Sequence, residues 1–232
     1  MIRRLLKSLL SLVSPQQCAC CGCRLGIDES AICTICDINM PRRQDHLNPM
    51  DNSTARLFWG IAKIERCASW IDYESHTSCA KAIYALKYGN RPDIGFALGQ
   101  LVADEMQPTG FFDGIDSIVP LPLHRKRQRE RGYNQSMEFA LGLCSVLHID
   151  LCDDAVERLR NTKSQASLVH GERSTNIKDA FGVVRPEALN GKHVLMVDDI
   201  VTTGATLSEC IKAINKDTDA RVSILTIGRA KH

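Results

Sequence analysis

The sequence predicts an α/β protein in which helices flank a mostly parallel sheet, behind a small cysteine-rich segment at the N-terminus. Three observations predict this class. The run Val194 to Val197 is apolar throughout, as in a strand covered on both faces. Leu207, Ile211 and Ile214 then recur at helical spacing. Six of the 11 cysteines fall within residues 18–36. A length of 232 residues allows one substantial core and a small appendage.

Composition indicates a globular protein of the cytoplasm. Its formal net charge of +2 is too close to zero to hold a polyanion by bulk attraction, so any nucleic-acid contact must be local. No apolar stretch approaches the ~20 residues that span a bilayer. Leu5 to Val13 follow helical spacing, which favours an amphipathic helix over a signal peptide. An odd number of cysteines argues against a disulfide framework.

Two Cys-x-x-Cys pairs in the N-terminal segment have the spacing of a structural zinc site, because four thiolates suit tetrahedral Zn²⁺. The first pair is either Cys18 with Cys21 or Cys20 with Cys23. We choose the former, since Gly22 then follows the second ligand, where a permissive φ is needed. A redox pair or a disulfide is the alternative. The predicted metal ligands are Cys18, Cys21, Cys33 and Cys36.

A polar, turn-rich stretch at residues 42–52 predicts a linker with a domain boundary near Asn52. The chain would then divide into an N-terminal helix and knuckle, residues 1–52, and a main domain, residues 53–232. His46 in this linker is expected to be solvated. Periodicity predicts the following elements in order: strand 64–73, helices 78–87 and 92–106, strand 115–119, a helix ending near Leu147, strand 194–197, a helix after residue 206, and strand 221–227.

The residues after strand 194–197 predict a site for a sugar that carries phosphates. Two carboxylates stand at the carboxyl end of the strand, where open α/β sheets bind ligands, and they suit ribose hydroxyls or a phosphate-chelated divalent cation. The hydroxyl-rich loop opens a helix, whose free N–H groups attract phosphate, and Gly204 allows close backbone approach. A solvated Asp pair, another nucleotide site or a phosphoacceptor Asp is the alternative. The predicted residues are Asp198, Asp199, Thr202, Thr203, Gly204, Ala205 and Thr206.

A basic loop follows strand 115–119. It places five basic side chains in seven positions, beside the unit that carries Asp198. Such a patch suits pyrophosphate or a nucleic-acid backbone, and a solvated basic loop is the plain alternative. The predicted residues are Pro120, Leu121, Arg125, Lys126, Arg127, Arg129 and Arg131. A later polar, cation-bearing stretch predicts a flap, or else a surface excursion, at Arg158, Arg160, Thr162 and Gln165.

Taken in order, these segments resemble the ComF family, which comprises phosphoribosyltransferase-like proteins linked to DNA uptake in bacteria. The resemblance covers nearly the whole chain. Its motifs are the cysteine knuckle, Pro-Leu-Pro-Leu-His-Arg-Lys-Arg at 120–127, Arg-Gly-Tyr-Asn-Gln-Ser at 131–136, Arg-x-Arg-x-Thr-x-x-Gln at 158–165, and Val-Asp-Asp-x-x-Thr-Thr-Gly-x-Thr at 197–206. The last is similar to the phosphoribosyl pyrophosphate signature of type I phosphoribosyltransferases. The crowded cysteines at 18–23 and the long connection 45–59 depart from the family pattern.

This resemblance implies a type I phosphoribosyltransferase-like fold and a ligand, phosphoribosyl pyrophosphate with Mg²⁺. Asp198 and Asp199 would hold the ribose hydroxyls, Thr202 to Thr206 the 5′-phosphate, residues 120–131 the pyrophosphate, and residues 158–165 the flap. It also implies a role in DNA uptake and natural transformation, with single-stranded DNA and DNA-uptake or recombination proteins as partners.

The resemblance identifies no acceptor, and no residue is an evident general base. Three classes of function therefore stay open. The first is a phosphoribosyltransferase, that is, a glycosyltransferase of unknown acceptor. The second is a non-catalytic nucleic-acid or protein adaptor that uses the phosphoribosyl pyrophosphate site as a regulatory pocket. The third is a scaffold whose zinc knuckle docks a partner protein.

Overall fold

The computed structural model describes residues 16–160 and 180–230. Its strands are β1 (Cys67–Tyr73), β2 (Ser117–Pro120), β3 (Asp150–Leu151), β4 (Val156–Arg158), β5 (Phe181–Val183), β6 (His193–Val201) and β7 (Arg221–Ala230). Its α-helices are α1 (Thr34–Ile38), α2 (Ser78–Tyr88), α3 (Pro92–Met106), α4 (Arg125–Arg131), α5 (Gln135–Leu147) and α6 (Ala205–Asp217).

Five strands form a parallel sheet in the order β1-β7-β6-β2-β3, and β4 and β5 form a separate antiparallel ribbon. The predicted mostly parallel sheet with flanking helices is confirmed. In the sheet register, Val197 of β6 lies beside Pro120 of β2, and Asp198 lies beside Thr226 of β7. β2 therefore ends where β6 reaches its acidic pair, which places the segments after the two strands at one edge of the sheet.

Apolar side chains cover both faces of the central strand β6. Leu195 and Val197 belong to an apolar cluster with α2, α3 and α5, whereas Val194 and Met196 belong to a second cluster with α6. All four are fully buried. Because successive strand side chains alternate between faces, an unbroken apolar run needs helices on each side of the sheet. The predicted double-sided strand is therefore confirmed.

Helices α3 and α5 cross at two glycines. A Cβ added at Gly99 would lie 2.3 Å from the carbonyl oxygen of Phe139, and one added at Gly142 would lie 2.1 Å from that of Phe96. No side chain fits at these distances, so the two backbones touch directly. The close crossing holds the start of α5 beside β6.

The N-terminal segment packs on the same core as α2 and α3. Cys20 and Met40 share an apolar cluster with Trp70 of β1, and the Arg42 guanidinium lies 4.4 Å from the centroid of the Trp70 ring. The predicted linker is also in contact with β1, since the Asp45 carboxylate accepts hydrogen bonds from Thr54 Oγ1 at 2.6 Å and from the N–H of Ser69 at 3.2 Å. The domain boundary near Asn52 remains a prediction.

Most element predictions agree with the structure, with three differences. Strand β6 continues past the predicted end at Val197 to Val201, because its pairing with β7 extends to Val201, so the acidic pair lies within the strand. The predicted basic loop contains helix α4. Residues 125–131 are densely charged, so they lack the apolar periodicity by which a helix is predicted from sequence. His46 is buried rather than solvated, because the segment that begins at Arg43 lies against β1, where the Arg43 N–H donates to the Trp70 carbonyl. The predicted helix over residues 5–13 lies outside the described residues. Across residues 16–160 and 180–230, no helix combines the length and the apolar character that crossing a membrane requires.

Candidate functional site

Two carboxylates in β6 form the floor of the candidate site. Asp198 Oδ1 accepts hydrogen bonds from Ser136 Oγ at 2.9 Å and from the N–H of Asp199 at 2.8 Å. Asp199 Oδ1 lies 3.1 Å from Lys87 Nζ at the end of α2. Elements from three parts of the chain, α2, α5 and β6, therefore meet at this acidic pair.

One carboxyl of the acidic pair, that of Asp198, has a raised pKa. Burial raises the pKa of Asp198 to about 7, and the neighbouring Asp199 carboxylate adds to the effect. Burial alone would lower the pKa of Lys87, but Asp199 and Asp198 raise it above the usual lysine value, so the ammonium stays charged. A group that donates hydrogen bonds or a cation would favour the ionised form of Asp198.

The loop after β6 opens helix α6. Gly204 has φ of 75° and precedes the first residue of the helix, and a Cβ there would lie 3.1 Å from the ring of Phe58. The glycine is therefore needed for its conformation and for the close approach of Phe58. The hollow at this loop measures about 40 Å³ and is lined by Asp198, Ile200, Val201, Thr202, Gly204, Ala205, Thr206 and Leu207. First-turn N–H groups of α6 at its edge suit an anion.

A larger cleft of about 870 Å³ connects this loop with the basic helix α4. Arg127 and Arg131 are four residues apart, so they share a face of α4, and Arg129 also lines the cleft. The cleft is lined by Lys87, Tyr88, Asn90, Arg127, Arg129, Glu130, Arg131, Gly132, Ile200, Thr202 and Thr206.

The structure distributes the predicted basic patch among three cavities. Arg125 lines a hollow of about 390 Å³ together with Arg158, and another of about 370 Å³ together with Arg129. Lys126 is exposed and lines none of the three. Burial and the charge of Arg131 lower the pKa of Arg127, and burial and the charge of Arg127 lower the pKa of Arg158. Such mutual repulsion shows that positive charge is concentrated here, which favours an anionic ligand.

Pro120 and Leu121 contribute backbone positions rather than reactive side chains. Both side chains are buried. The Leu121 N–H donates to the Val197 carbonyl at 2.9 Å, and the Leu121 carbonyl accepts from Asn134 Nδ2 at 3.0 Å. Asn134 also accepts from the N–H of Ser136 at the start of α5. These bonds fix the segment after β2 beside the acidic pair.

Only part of the predicted flap lies among the described residues. Arg158 ends β4, with its guanidinium 5.3 Å from the centroid of the Phe181 ring, and Arg160 is exposed. Thr162 and Gln165 lie outside the described residues. Sequence reasoning assigned no role to Lys87 or Ser136. Their positions in Lys-Tyr-Gly-Asn-Arg-Pro and in Arg-Gly-Tyr-Asn-Gln-Ser were the available signals.

The N-terminal cysteines form a second candidate site. The Sγ atoms of Cys18, Cys21, Cys33 and Cys36 all lie within 4.8 Å of one another, so this cluster can hold a zinc ion. Burial acts against the Cys18 thiolate, but backbone N–H groups outweigh it and lower the Cys18 pKa to about 6. Cys18 and Cys20 are both buried, but Cys20 does not belong to the cluster, and desolvation raises its pKa to about 12. The geometry therefore favours the Cys18/Cys21 register.

Comparisons with known proteins agree with the sequence motifs, although no family model matches. The DNA utilization protein YhgH of Escherichia coli (strain K12) is 29% identical over 233 residues, which cover 94% of this chain and 99% of that protein. Competence protein F of Haemophilus influenzae is 34% identical over 116 residues, 50% of this chain and 51% of that protein.

One similar solved structure is the glutamine phosphoribosylpyrophosphate amidotransferase from B. subtilis, complexed with ADP and GMP. It is 18% identical with a TM-score of 0.42, and the match covers 62% of this chain and 30% of that one.

The predicted architecture, a mostly parallel sheet with flanking helices behind a cysteine segment that can bind zinc, is confirmed. Relatives named for competence and DNA utilization align with the chain that carries these motifs, one of them over nearly its full length. These relatives confirm the predicted resemblance to the ComF family.

Proposed function

We propose that the protein binds phosphoribosyl pyrophosphate with Mg²⁺ and acts in DNA uptake, in contact with single-stranded DNA. One observation carries the ligand half of the proposal. Asp198, a loop at a helix N-terminus and three arginines line adjoining hollows at one edge of the sheet, and Asp199 follows Asp198 in β6. Carboxylates suit the hydroxyls of a sugar, whereas N–H groups and arginines suit its phosphates.

In this proposal each group binds one part of the ligand. The Asp198 and Asp199 carboxylates accept hydrogen bonds from the ribose hydroxyls, and the loop Thr202 to Thr206 binds the 5′-phosphate. Arg127, Arg129 and Arg131 of α4 neutralise the pyrophosphate. Mg²⁺ would be held by phosphate oxygens, with the acidic pair nearby, and would supply further charge neutralisation.

Zinc has a separate, structural role in this proposal. A four-thiolate site is closed, with no position left for a substrate, so the ion would hold the N-terminal segment together. The predicted flap at Arg158, Arg160, Thr162 and Gln165 would cover the ligand and exclude water.

The DNA half is supported by the names of the relatives and by charge. Relatives aligned with this chain are a DNA utilization protein and a competence protein. Arg125, Lys126 and Arg129 are exposed on α4, where they are available to the phosphates of a DNA strand. Non-specific binding of nucleic acid depends on such contacts.

Calorimetry with phosphoribosyl pyrophosphate and Mg²⁺ tests the ligand half. The wild type should bind, and its melting temperature should rise with ligand concentration, because a ligand that binds only the native state stabilises it. Asp198→Asn combined with Asp199→Asn should abolish binding. A matched control replaces two exposed aspartates, Asp104→Asn with Asp217→Asn, and should bind as the wild type does. Equal binding by the acidic-pair variant would refute the assignment.

The cleft also favours a second candidate, the non-catalytic adaptor. Among the described residues that line the 870 Å³ cleft there is no histidine, and Glu130, an exposed residue of α4, is the single carboxylate. A general base is therefore not evident. Pyrophosphate release measured with candidate acceptors separates the two functions. Release that depends on an acceptor supports a phosphoribosyltransferase, and binding without release supports the adaptor.

A further inference from the structure

Two tyrosines on α2 form an exposed aromatic pair at the rim of the cleft. The ring centroids of Tyr84 and Tyr88 are 4.9 Å apart, with an angle of 47° between the ring planes. Tyr84 is 65% exposed and Tyr88 is 62% exposed. Residues four apart meet on one helix face, so the pair presents a continuous aromatic surface to solvent.

This aromatic pair is continuous with the candidate ligand site. Tyr88 lines the 870 Å³ cleft, and the Arg131 guanidinium lies 5.4 Å from the centroid of its ring. Tyr84 lies one turn earlier on α2 and does not line that cleft. The surface therefore runs outward from the cleft, first over Tyr88 and then over Tyr84.

Positive charge flanks the aromatic pair on two sides. Lys81 is exposed one turn before Tyr84 on the same helix, and Arg127 and Arg129 stand across the cleft on α4. Glu130 is the acidic residue among those that line the cleft. Aromatic faces between cationic side chains match a nucleic-acid strand, in which bases alternate with phosphates. An acidic peptide would pair with the cationic side chains but would have no bases to stack on the aromatic faces.

We propose that Tyr84 and Tyr88 form a stacking platform for the bases of single-stranded DNA, whose phosphates contact Arg127 and Arg129. The proposal rests on the DNA half of the proposed function and adds the surface and the mode of contact. Stacking on an aromatic ring is available to every base, so the binding should show little sequence preference. The strand would pass over the mouth of the phosphoribosyl pyrophosphate cleft.

The test is fluorescence anisotropy with labelled oligothymidine and with a base-free strand of the same length. Tyr84→Leu with Tyr88→Leu should weaken oligothymidine binding by about 10- to 100-fold, from the typical effect of removing stacked aromatic residues. The same variant should bind the base-free strand as the wild type does. Tyr84→Phe with Tyr88→Phe retains the rings and should retain the binding.

Trp59→Leu is the matched control. Trp59 is 52% exposed and has Arg56 5.6 Å from its ring centroid, but it does not line the cleft. This variant should bind oligothymidine normally. Equal affinities for the wild type and the double leucine variant would overturn the platform alone, as would an equally weakened affinity for the base-free strand. No binding by the wild type would overturn the DNA half as well, and failure of phosphoribosyl pyrophosphate binding would be seen separately by calorimetry.

Discussion

Lys87 Nζ lies 3.1 Å from Asp199 Oδ1, so the last turn of α2 is joined to the acidic pair of β6 by a partly buried ion pair. The Lys87 ammonium faces Asp199, while burial raises the pKa of the neighbouring Asp198. The acidic pair thus depends on a residue distant in sequence.

Removing Lys87 should therefore destabilise the protein. Lys87→Met leaves the Asp199 carboxylate without its cation, and we expect the free energy of unfolding to fall by about 2 kcal/mol, below the range for fully buried pairs. Urea unfolding at pH 7 measures it. Lys81→Met, an exposed lysine of the same helix, should change stability by less than about 0.5 kcal/mol. Equal effects of the two substitutions would show that the ion pair contributes nothing.

Asp198 should make stability fall as the pH rises. The folded protein keeps the Asp198 proton up to about pH 7, whereas an unfolded aspartate releases it near pH 4, at a pKa of about 3.9. Between these values the native state binds more protons, so the Asp198 contribution to stability declines with pH. Asp198→Asn should flatten this slope and gain up to about 4 kcal/mol at pH 8. Unfolding measured from pH 5 to 8 checks the slope, and parallel curves for the two proteins would contradict it.

Gly204→Ala should destabilise the protein through both conformation and contact. A residue with a Cβ at positive φ costs roughly 1–2 kcal/mol. Gly114 provides the control, since its φ is 71° and a Cβ there would meet nothing within 4 Å. Gly204→Ala should cost about 1 kcal/mol more than Gly114→Ala, because the new methyl meets Phe58. Denaturant unfolding measures the free energy lost by each substitution. In a protein that also carries Phe58→Leu, Gly204→Ala and Gly114→Ala should cost the same.

The zinc prediction distinguishes the two cysteine registers. Purified protein should contain about one zinc per chain, since four thiolates complete one tetrahedral site. Cys21→Ser or Cys36→Ser should lower the zinc content. Cys23 is an exposed cysteine of the same loop, and Cys23→Ser should leave the zinc content unchanged. Elemental analysis after dialysis measures the content. Loss of zinc from Cys23→Ser with retention in Cys21→Ser would favour the Cys20/Cys23 register.

The basic helix should determine the salt dependence of DNA binding. Removing one phosphate-binding side chain reduces the slope of log affinity against log salt by up to ~0.7 for single strands. Arg127→Ala with Arg129→Ala should therefore reduce the slope, and it should also weaken phosphoribosyl pyrophosphate binding because both arginines line the cleft. Arg185→Ala with Lys216→Ala removes the same charge elsewhere on the surface. Titrations at two salt concentrations that give unchanged slopes for the α4 variant would exclude its contact with DNA.

Local patterns in the sequence were enough to predict individual strands, helices and loops. The apolar run at 194–197 predicted β6, the spacing of Leu207, Ile211 and Ile214 predicted α6, and the turn between them predicted a phosphate loop. Cysteine spacing narrowed the metal ligands to two registers. These signals are local because strand burial, helical periodicity and Cys-x-x-Cys geometry each operate over a few residues.

Only the tertiary structure decided how these parts meet. It joined Lys87 and Ser136 to the acidic pair, placed Phe58 against Gly204, and distributed the arginines of α4 among three cavities. It also brought Cys18 together with Cys21, Cys33 and Cys36 and left Cys20 outside that cluster. No period or spacing in the sequence predicts these contacts. They arise because burying apolar faces on both sides of the sheet fixes the helices, and the helices then determine which polar side chains share a site.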